Sequence, residues 1–283
     1  MIAPKQVLIL EALARYKYLS RSQMARLGIE KYNSNYSKYC NPLLEANLIG
    51  VLNAVPYGLG HIYYLRLKGA KIIAEHLKTD LEELHYVNST PTLSPQTLFH
   101  RTYAIDSQIE CYDSCQRDQI DVLFYYREIE AVGSLKKDGM LKRKTRVPIK
   151  GKRYIEPDGI FMLDTPKGKK LYCLEFEHKD YTKKSYEKVE RHVEALNMKS
   201  PSEIYGHDKA HRTLFIYKNP ATMEAVMKKM RENIQGIGKW FLFKTYDEVA
   251  TEVRFENPTF LMGEPKLFFD GWRDCTGETG KIF

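Results

Sequence analysis

The stretch Leu171–Lys179 reads Leu-Tyr-Cys-Leu-Glu-Phe-Glu-His-Lys, and its second half alternates apolar and charged side chains. Alternation with a period of two is typical of a β-strand, in which successive side chains point to opposite faces. On this interpretation Glu175, Glu177 and Lys179 share one face, and the aromatic and aliphatic residues pack on the other. Charged groups beside a core are costly unless they find partners. The stretch therefore predicts a core strand that ends in a cluster of charges.

Another acidic residue precedes a second apolar run upstream. Asp158 lies in a Pro-Asp-Gly turn and is followed by Ile160–Leu163. If the two apolar runs are neighbouring strands, Asp158 comes close to Glu175 and Glu177. Carboxylate oxygens are the ligands that Mg²⁺ and Mn²⁺ prefer. Such a metal polarises a phosphodiester and lowers the pKa of a bound water, and Lys179 would orient that water or stabilise the developing charge.

Together, Asp158, Glu177 and Lys179 resemble the PD-(D/E)xK pattern of restriction-endonuclease-like nucleases. Each part of the pattern has an ordinary alternative. Pro-Asp-Gly is also a common turn, and a Glu-x-Glu-x-Lys face also occurs on exposed edge strands, where charges deter aggregation. The order of the two motifs, with a hairpin-like segment between them, favours the nuclease interpretation.

The positive charge of the chain is concentrated just before this aspartate. The net charge is +8, and residues 134–153 contain nine basic residues and one acidic residue. A basic stripe next to a metal site would hold a polyanion against it. Within and after this segment the residues expected to contact DNA are Lys142, Arg143, Lys144, Arg146 and Lys188. The alternative is a solvated hairpin without a partner.

The first 84 residues predict three helices, a hairpin and a fourth helix. Ser20 is expected to cap the second helix, which stops at Gly28. Ser34 is expected to cap the third, with a kink or break near Pro42. This order resembles the winged helix-turn-helix family, in which the third helix enters the major groove of DNA.

On the predicted third helix, Asn35, Lys38 and Tyr39 are the candidates for contacts with DNA. Asparagine reaches base edges, and lysine and tyrosine reach phosphates or bases. The alternative is that Tyr36 and Tyr39 pack inside a module that binds protein.

The remainder of the chain predicts a linker over residues 85–95 and a second domain over 96–283. Residues 88–95 are rich in Pro, Ser and Thr. A long helix, three strands, a helix and a strand follow, with a trailing helix and strand. The expected fold class is therefore α+β or α/β, with a winged helix-turn-helix followed by a restriction-endonuclease-like mixed sheet flanked by helices.

The composition restricts the environment of the protein. Among the 283 residues, no apolar run is long enough to span a bilayer, and no signal-peptide pattern opens the sequence. We therefore expect a cytoplasmic protein with no membrane partner. The five cysteines are odd in number and scattered, which is typical of reduced thiols.

The acidic motifs, the basic helix after them and the preceding winged-helix pattern are similar to the replication-relaxation proteins, which include the MobC class of plasmid relaxases. The resemblance implies a nicking enzyme that acts on double-stranded and single-stranded DNA at an origin of transfer, with relaxosome accessory proteins as partners. It implies that Asp158, Glu175 and Glu177 bind the metal and that Lys179 is the catalytic lysine. Which of Glu175 and Glu177 is the principal metal ligand stays open. Lys188 matches a lysine of the following helix, whereas His192 replaces a tyrosine.

Two other functions stay open. One is a restriction or transposition endonuclease on the same fold, and the other is a replication or transcription regulator that binds DNA without cutting it. Relaxases that use a tyrosine nucleophile need a His-x-His pair, and the eight histidines include none. The sequence thus favours a divalent-metal-dependent nickase.

Overall fold

The computed structural model describes residues 2–88, 91, 93–132 and 142–283. The helices are α1 (Pro4–Tyr16), α2 (Arg21–Arg26), α3 (Asn33–Glu45), α4 (Leu67–Leu77), α5 (Pro95–Asp118), α6 (Thr182–Asn197), α7 (Ser200–Ile204), α8 (Pro220–Asn233) and α9 (Tyr246–Val249). The strands are β1 (Tyr18–Ser20), β2 (Ile49–Ala54), β3 (Gly60–Leu65), β4 (Asp121–Arg127), β5 (Ala131–Val132), β6 (Lys142–Arg143), β7 (Val147–Pro148), β8 (Tyr154–Ile155), β9 (Gly159–Thr165), β10 (Gly168–Glu177), β11 (Arg212–Tyr217), β12 (Phe241–Thr245), β13 (Val253–Glu256), β14 (Thr259–Met262), β15 (Trp272–Arg273) and β16 (Thr279–Gly280).

The chain divides into two compact units. Unit one comprises Met1–Ile109 and Thr251–Pro265, and unit two comprises Glu110–Ala250 and Lys266–Phe283. The first division falls within α5, whereas the sequence predicted boundaries at 1–84 and 96–283 with a linker over 85–95.

Part of the expected linker belongs to the core of unit one. Tyr86, Val87 and Leu93 pack against this core, as do Leu98 and Ile105 of α5. The Pro, Ser and Thr content of the segment did not reveal that these apolar side chains pack against the core. Residues 89, 90 and 92 lie outside the described residues.

Unit one contains a small antiparallel sheet in the order β1-β3-β2, with α1 to α4 around it. The second helix begins at Arg21, as predicted, and ends at Arg26, two residues before Gly28. The Ser20 hydroxyl accepts a hydrogen bond from the Gln23 amide at 3.2 Å, and the Gln23 side chain accepts one from the Ser20 amide at 2.9 Å. Gly28 has a φ of +70°, a left-handed conformation that favours glycine after a helix. Local capping chemistry therefore fixes α2.

The third helix differs from its prediction. It begins after Tyr32 rather than Ser34 and continues through Pro42 to Glu45 without a break. Cys40, two residues before the proline, and Leu43, directly after it, are both buried, so core packing holds this last turn in place.

A hairpin from the far end of the chain completes unit one. Strands β13 and β14 pair antiparallel, and the backbone before α3 pairs with β14. The Asn33 amide donates to the Pro258 carbonyl at 2.9 Å, and the Phe260 amide donates to the Lys31 carbonyl at 2.8 Å. The hairpin is therefore held by contacts between residues that are more than 200 positions apart in the sequence.

Unit two confirms the predicted mixed sheet. Its strand order in the described chain is β16-β15-β12-β11-β10-β9-β4, with β10, β11 and β12 mutually parallel and the other pairs antiparallel. Helices α6 and α8 cover one face, where Val189 and Met223 join a buried cluster with Phe215 and Phe243. The sequence periodicity predicts helices over 182–197 and 220–233, and α6 and α8 have these bounds. This arrangement places α6 against β10, the strand whose last residues belong to the charged motif.

Lys244 on β12 generates a prediction about pH. Its ammonium donates to the Leu267 carbonyl at 3.0 Å, and the residue is buried. Burial lowers the pKa of Lys244 from 10.5 to about 8, although the charges of Glu248 and Asp270 oppose this shift. Between the two values the unfolded chain binds more protons than the folded protein, so the free energy of unfolding rises with pH.

We expect Lys244→Met to remove this rise. From pH 8 to pH 10, wild-type stability should increase relative to the variant by roughly 2 kcal/mol. Urea unfolding followed by circular dichroism at both pH values measures the difference. Lys228→Met, at an exposed position of α8, is the control, and its stability should change with pH as that of the wild type does. Parallel pH profiles for wild type and Lys244→Met would contradict the prediction.

Candidate active site

Asp158 reaches from the start of one strand to the end of the next. Strands β9 and β10 are antiparallel, and Gly159 is paired with Leu174. Asp158 immediately precedes β9, and its Oδ2 accepts a hydrogen bond from the Phe176 amide at 2.7 Å. Because Phe176 lies between Glu175 and Glu177, this bond places the aspartate beside both glutamates. The structure thus brings together the three carboxylates that the sequence selected.

The lysine that contacts these carboxylates is Lys188 on α6. Its Nζ donates to Oε2 of Glu175 at 2.9 Å and also to Oε1 of Glu177. Lys179, which the sequence selected as the catalytic lysine, is exposed and lies beyond the last residue of β10. The strand ends at Glu177, so the alternation of faces does not extend to Lys179.

Helix α6 presents a row of polar side chains to the sheet. Ser185, Lys188 and His192 are three and four residues apart and therefore share one helix face. The Ser185 hydroxyl lies 2.6 Å from the Tyr217 hydroxyl. Nε2 of His192 lies 2.6 Å from Oε1 of Glu175. Each of these polar groups meets a polar partner on β10 or β11.

Lys188 places a cation inside this acidic cluster. Burial raises the pKa of Glu177, an effect that Lys188 opposes and that Glu175 and Asp158 reinforce. Burial alone would lower the pKa of Lys188, but the charges of the three carboxylates outweigh it and hold this pKa well above its usual value. Lys188 therefore stays a cation and cannot serve as a general base at neutral pH.

This donor set fits a hard divalent cation. Three carboxylates and one ammonium leave the cluster negative when all are ionised, and oxygen is the donor that Mg²⁺ and Mn²⁺ prefer. Glu177 retains 12% exposure of its side chain and Lys188 retains 34%. The cluster therefore borders solvent, where a phosphate group can reach it.

A second group of possible ligands lies under the same helix. One ligand atom from each of Cys173, His192 and His211 lies within 4.8 Å of the others, and all three residues are buried. Burial raises the pKa of the Cys173 thiol well above its usual value, and Glu175 adds to the shift. Burial lowers the pKa of His211 to about 3, reinforced by His192 and His207. This set contains sulfur and nitrogen and differs from the oxygen set beside it.

Much of the basic segment is neutralised by acidic residues. Arg143 and Arg146 both contact Glu156, the latter at 2.9 Å. Lys144 lies 3.5 Å from Glu130. Lys142 belongs to β6, and residues 133–141 lie outside the described residues. The net charge counted from the sequence of residues 134–153 is therefore larger than the positive charge that the described part of this segment presents to a polyanion.

The candidate residues of α3 differ in exposure. Lys38 is exposed, whereas Asn35 and Tyr39 are half-buried. Tyr39 packs against the core of unit one. Tyr36 is fully buried, and its hydroxyl donates to the Glu30 carbonyl at 2.8 Å. Tyr36 is thus a core residue, as the packing alternative predicted.

Comparison with protein-family models, curated proteins and solved structures gave no match. Within the described ranges, no helix combines the length and the apolar character that crossing a bilayer requires. The arguments for function therefore depend on the geometry of the chain itself.

Sequence reasoning missed two features of this region. Lys188 was expected to bind DNA, not to pair with the glutamates, although its spacing of four from His192 was a usable signal. The grouping of Cys173 with His211 had no local signal, because parallel pairing of β10 with β11 brings them together.

Replacing Lys188 tests the energetic role of the cation. In buffer with a metal chelator, Lys188→Met should lower the free energy of unfolding by about 2–3 kcal/mol, because it leaves the Glu175 charge buried without a cation. Lys183→Met, on an exposed position of α6, should change it by less than about 0.5 kcal/mol. Urea unfolding measures both values, and equal stabilities for the two variants would refute this role.

Proposed function

We propose that the protein is a divalent-metal-dependent DNA endonuclease, a nickase of the relaxase type. The observation that carries the proposal is the meeting of Asp158, Glu175 and Glu177 with Lys188 at the solvent border of unit two. Glu175 and Glu177 lie on β10, Asp158 immediately precedes β9 and Lys188 lies on α6. Together they provide oxygen donors and a cation of the kind that phosphodiester hydrolysis uses. The resemblance to replication-relaxation proteins adds the expectation of a plasmid or mobile-element origin as substrate.

Asp158 and Glu177 would hold Mg²⁺ or Mn²⁺, with help from Glu175. When bound, such a cation supplies Lewis-acid polarisation of the phosphate and an acidified water. The hydrogen bond from the Phe176 amide fixes the Asp158 carboxylate, and burial limits its motion. Glu175 is fixed from the other side by His192. Both carboxylates are thus oriented before any ligand arrives.

Lys188 takes the place that the sequence motif assigned to Lys179. Its raised pKa keeps it charged, so its part is to orient the attacking water or to offset negative charge on the phosphate. Because Lys188 lies on a helix, its position does not depend on the end of the strand. A lysine on the neighbouring helix can serve the same chemistry, provided that it contacts the same carboxylates.

Unit one is proposed to be a winged helix-turn-helix module that binds double-stranded DNA. Its element order and its β1-β3-β2 sheet support this proposal. On α3, Lys38 is exposed and Asn35 is partly exposed, so both can reach a DNA groove or its phosphates. Arg21, the first residue of α2, donates to the Tyr63 hydroxyl of β3 at 3.0 Å, and this hydrogen bond connects α2 to the sheet.

A second candidate function is DNA binding without cleavage. The contact of Lys188 with both glutamates favours it, because an internal ion pair already satisfies part of the acidic cluster. In that case the carboxylates stabilise the fold and bind no metal. Cleavage assays separate the two proposals, and the cleavage product separates a nickase from an endonuclease that breaks both strands.

Purified protein with Mg²⁺ or Mn²⁺ should convert supercoiled plasmid that carries a cognate origin to open circles. Asp158→Asn and Glu177→Gln should each lower the nicking rate by at least about 10²-fold, because they remove a charged metal ligand. Agarose gels measure open-circle, linear and supercoiled forms. Asp164→Asn and Glu190→Gln, at exposed positions of the same unit, are the matched controls.

The same assay can distinguish which of Lys188 and Lys179 acts in cleavage. Lys188→Met should reduce nicking by about 10²–10³-fold, whereas Lys179→Met should stay within a few-fold of wild type. Circular dichroism at the assay temperature confirms that both variants are folded. The reverse order would restore Lys179 to the catalytic role, and linear product would indicate an endonuclease that breaks both strands.

DNA binding by unit one should depend on salt and on Lys38. Removing one phosphate contact reduces the slope of log affinity against log salt by about one. We expect this reduction for Lys38→Met and no change for Lys71→Met, an exposed residue of α4. Fluorescence anisotropy with the full chain and a labelled duplex, across a salt series in chelator, measures both slopes. Identical slopes for the two variants would place the interface elsewhere.

A further inference from the structure

The second ligand group lies deeper than the acidic cluster and is built by three separate elements. Cys173 lies on β10, and the neighbouring parallel strand pairs it with Thr213. His211 immediately precedes β11, and one of its ring nitrogens lies within 4.8 Å of the Cys173 sulfur. His192 lies on α6 and brings a ring nitrogen within the same distance of both atoms. The exposed fractions of Cys173, His192 and His211 are all 0%.

His211 poses a physical problem that a cation would relieve. Within the described part of the chain, neither ring nitrogen of His211 has a hydrogen-bond partner. Leaving a buried polar nitrogen unsatisfied costs about 1–3 kcal/mol, and such groups are rare in folded proteins. A metal ion bound by one nitrogen would satisfy it. The neighbouring thiol and imidazole are the ligand types that such an ion would need.

His192 is already oriented in the manner of a metal ligand. Its Nε2 lies 2.6 Å from Oε1 of Glu175, and an ionised carboxylate can only accept. In a neutral imidazole the proton is then on Nε2, and Nδ1 keeps its lone pair. The Thr213 hydroxyl lies 3.5 Å from Nδ1, too far for a strong hydrogen bond. A carboxylate that holds the far nitrogen of a histidine is a recurrent support for metal ligands.

We propose that Cys173, His192 and His211 bind one Zn²⁺ ion, separate from the hard-cation site at Asp158 and Glu177. Sulfur with two imidazole nitrogens suits zinc and does not suit Mg²⁺. Tetrahedral zinc separates its ligand atoms by roughly 3.3–3.6 Å. The observed atoms lie within 4.8 Å of one another, so small side-chain rotations would bring the three ligands to these separations, and a water molecule would take the fourth position. Binding converts the Cys173 thiol to a thiolate and releases its proton to solvent.

The proposal does not depend on nicking activity, because zinc content is its readout. Protein purified under reducing conditions from zinc-supplemented cells should contain about one zinc per chain by plasma mass spectrometry. Cys173→Ala and His211→Ala should each lose most of it. Cys115→Ala removes another buried thiol of unit two and should retain zinc. Asp158→Asn should also retain zinc, which separates this site from the acidic cluster.

Cobalt gives a second readout on the wild-type chain, which does not depend on any variant folding. Metal-free protein titrated with Co²⁺ should develop a thiolate-to-cobalt charge-transfer band in the near ultraviolet, saturating at one equivalent. Zinc at one hundred times its Kd should raise the Tm of metal-free protein by about 5–10 °C. Wild-type protein without stoichiometric zinc and without this band would overturn the proposal. Zinc that disappears in Asp158→Asn but stays in Cys173→Ala would equally overturn it.

Discussion

The burial of one carboxylate, that of Glu175, organises unit two. Only 2% of this residue is exposed, yet both of its oxygens are engaged, one by Lys188 and the other by His192. An ionised carboxylate away from water is costly without such partners. Helix α6 must therefore lie across β10 with these two side chains facing inward. The same placement brings the Lys188 ammonium to Glu177 and the His192 imidazole close to Cys173.

Glu175 separates two sets of donor atoms that differ in chemistry. On one side, carboxylate oxygens border solvent and suit a hard cation. On the other, sulfur and imidazole nitrogens are fully buried and suit a soft one. Ligand type is the main means by which proteins assign different metals to different places. Glu175 contacts both Lys188 and His192. A shift of either side chain would therefore move Glu175 and, through it, the other side chain.

Local chemistry predicted much of the fold. The bounds of α6 and α8, the caps of α2 and the strand pair β9–β10 all follow from periodicity and capping in short windows. What failed depends on distant contacts. Lys179 was placed on the face of Glu175 and Glu177 because the alternation was extended past the end of the strand, and a helix pattern alone does not show that Tyr39 packs against the core. The grouping of Cys173, His192 and His211, and the strands β15 and β16, became visible only when distant segments were placed side by side.

The hairpin β13–β14 gives unit one a discontinuous sequence, and this has a consequence for biosynthesis. The chain emerges from the ribosome in order, and N-terminal regions generally fold first. Here the amide at the start of α3 receives its acceptor from Pro258, which is translated after nearly all of unit two. During synthesis the amide at the start of α3 therefore stays without this acceptor until the hairpin is made, so unit one cannot be completed before most of unit two has been translated.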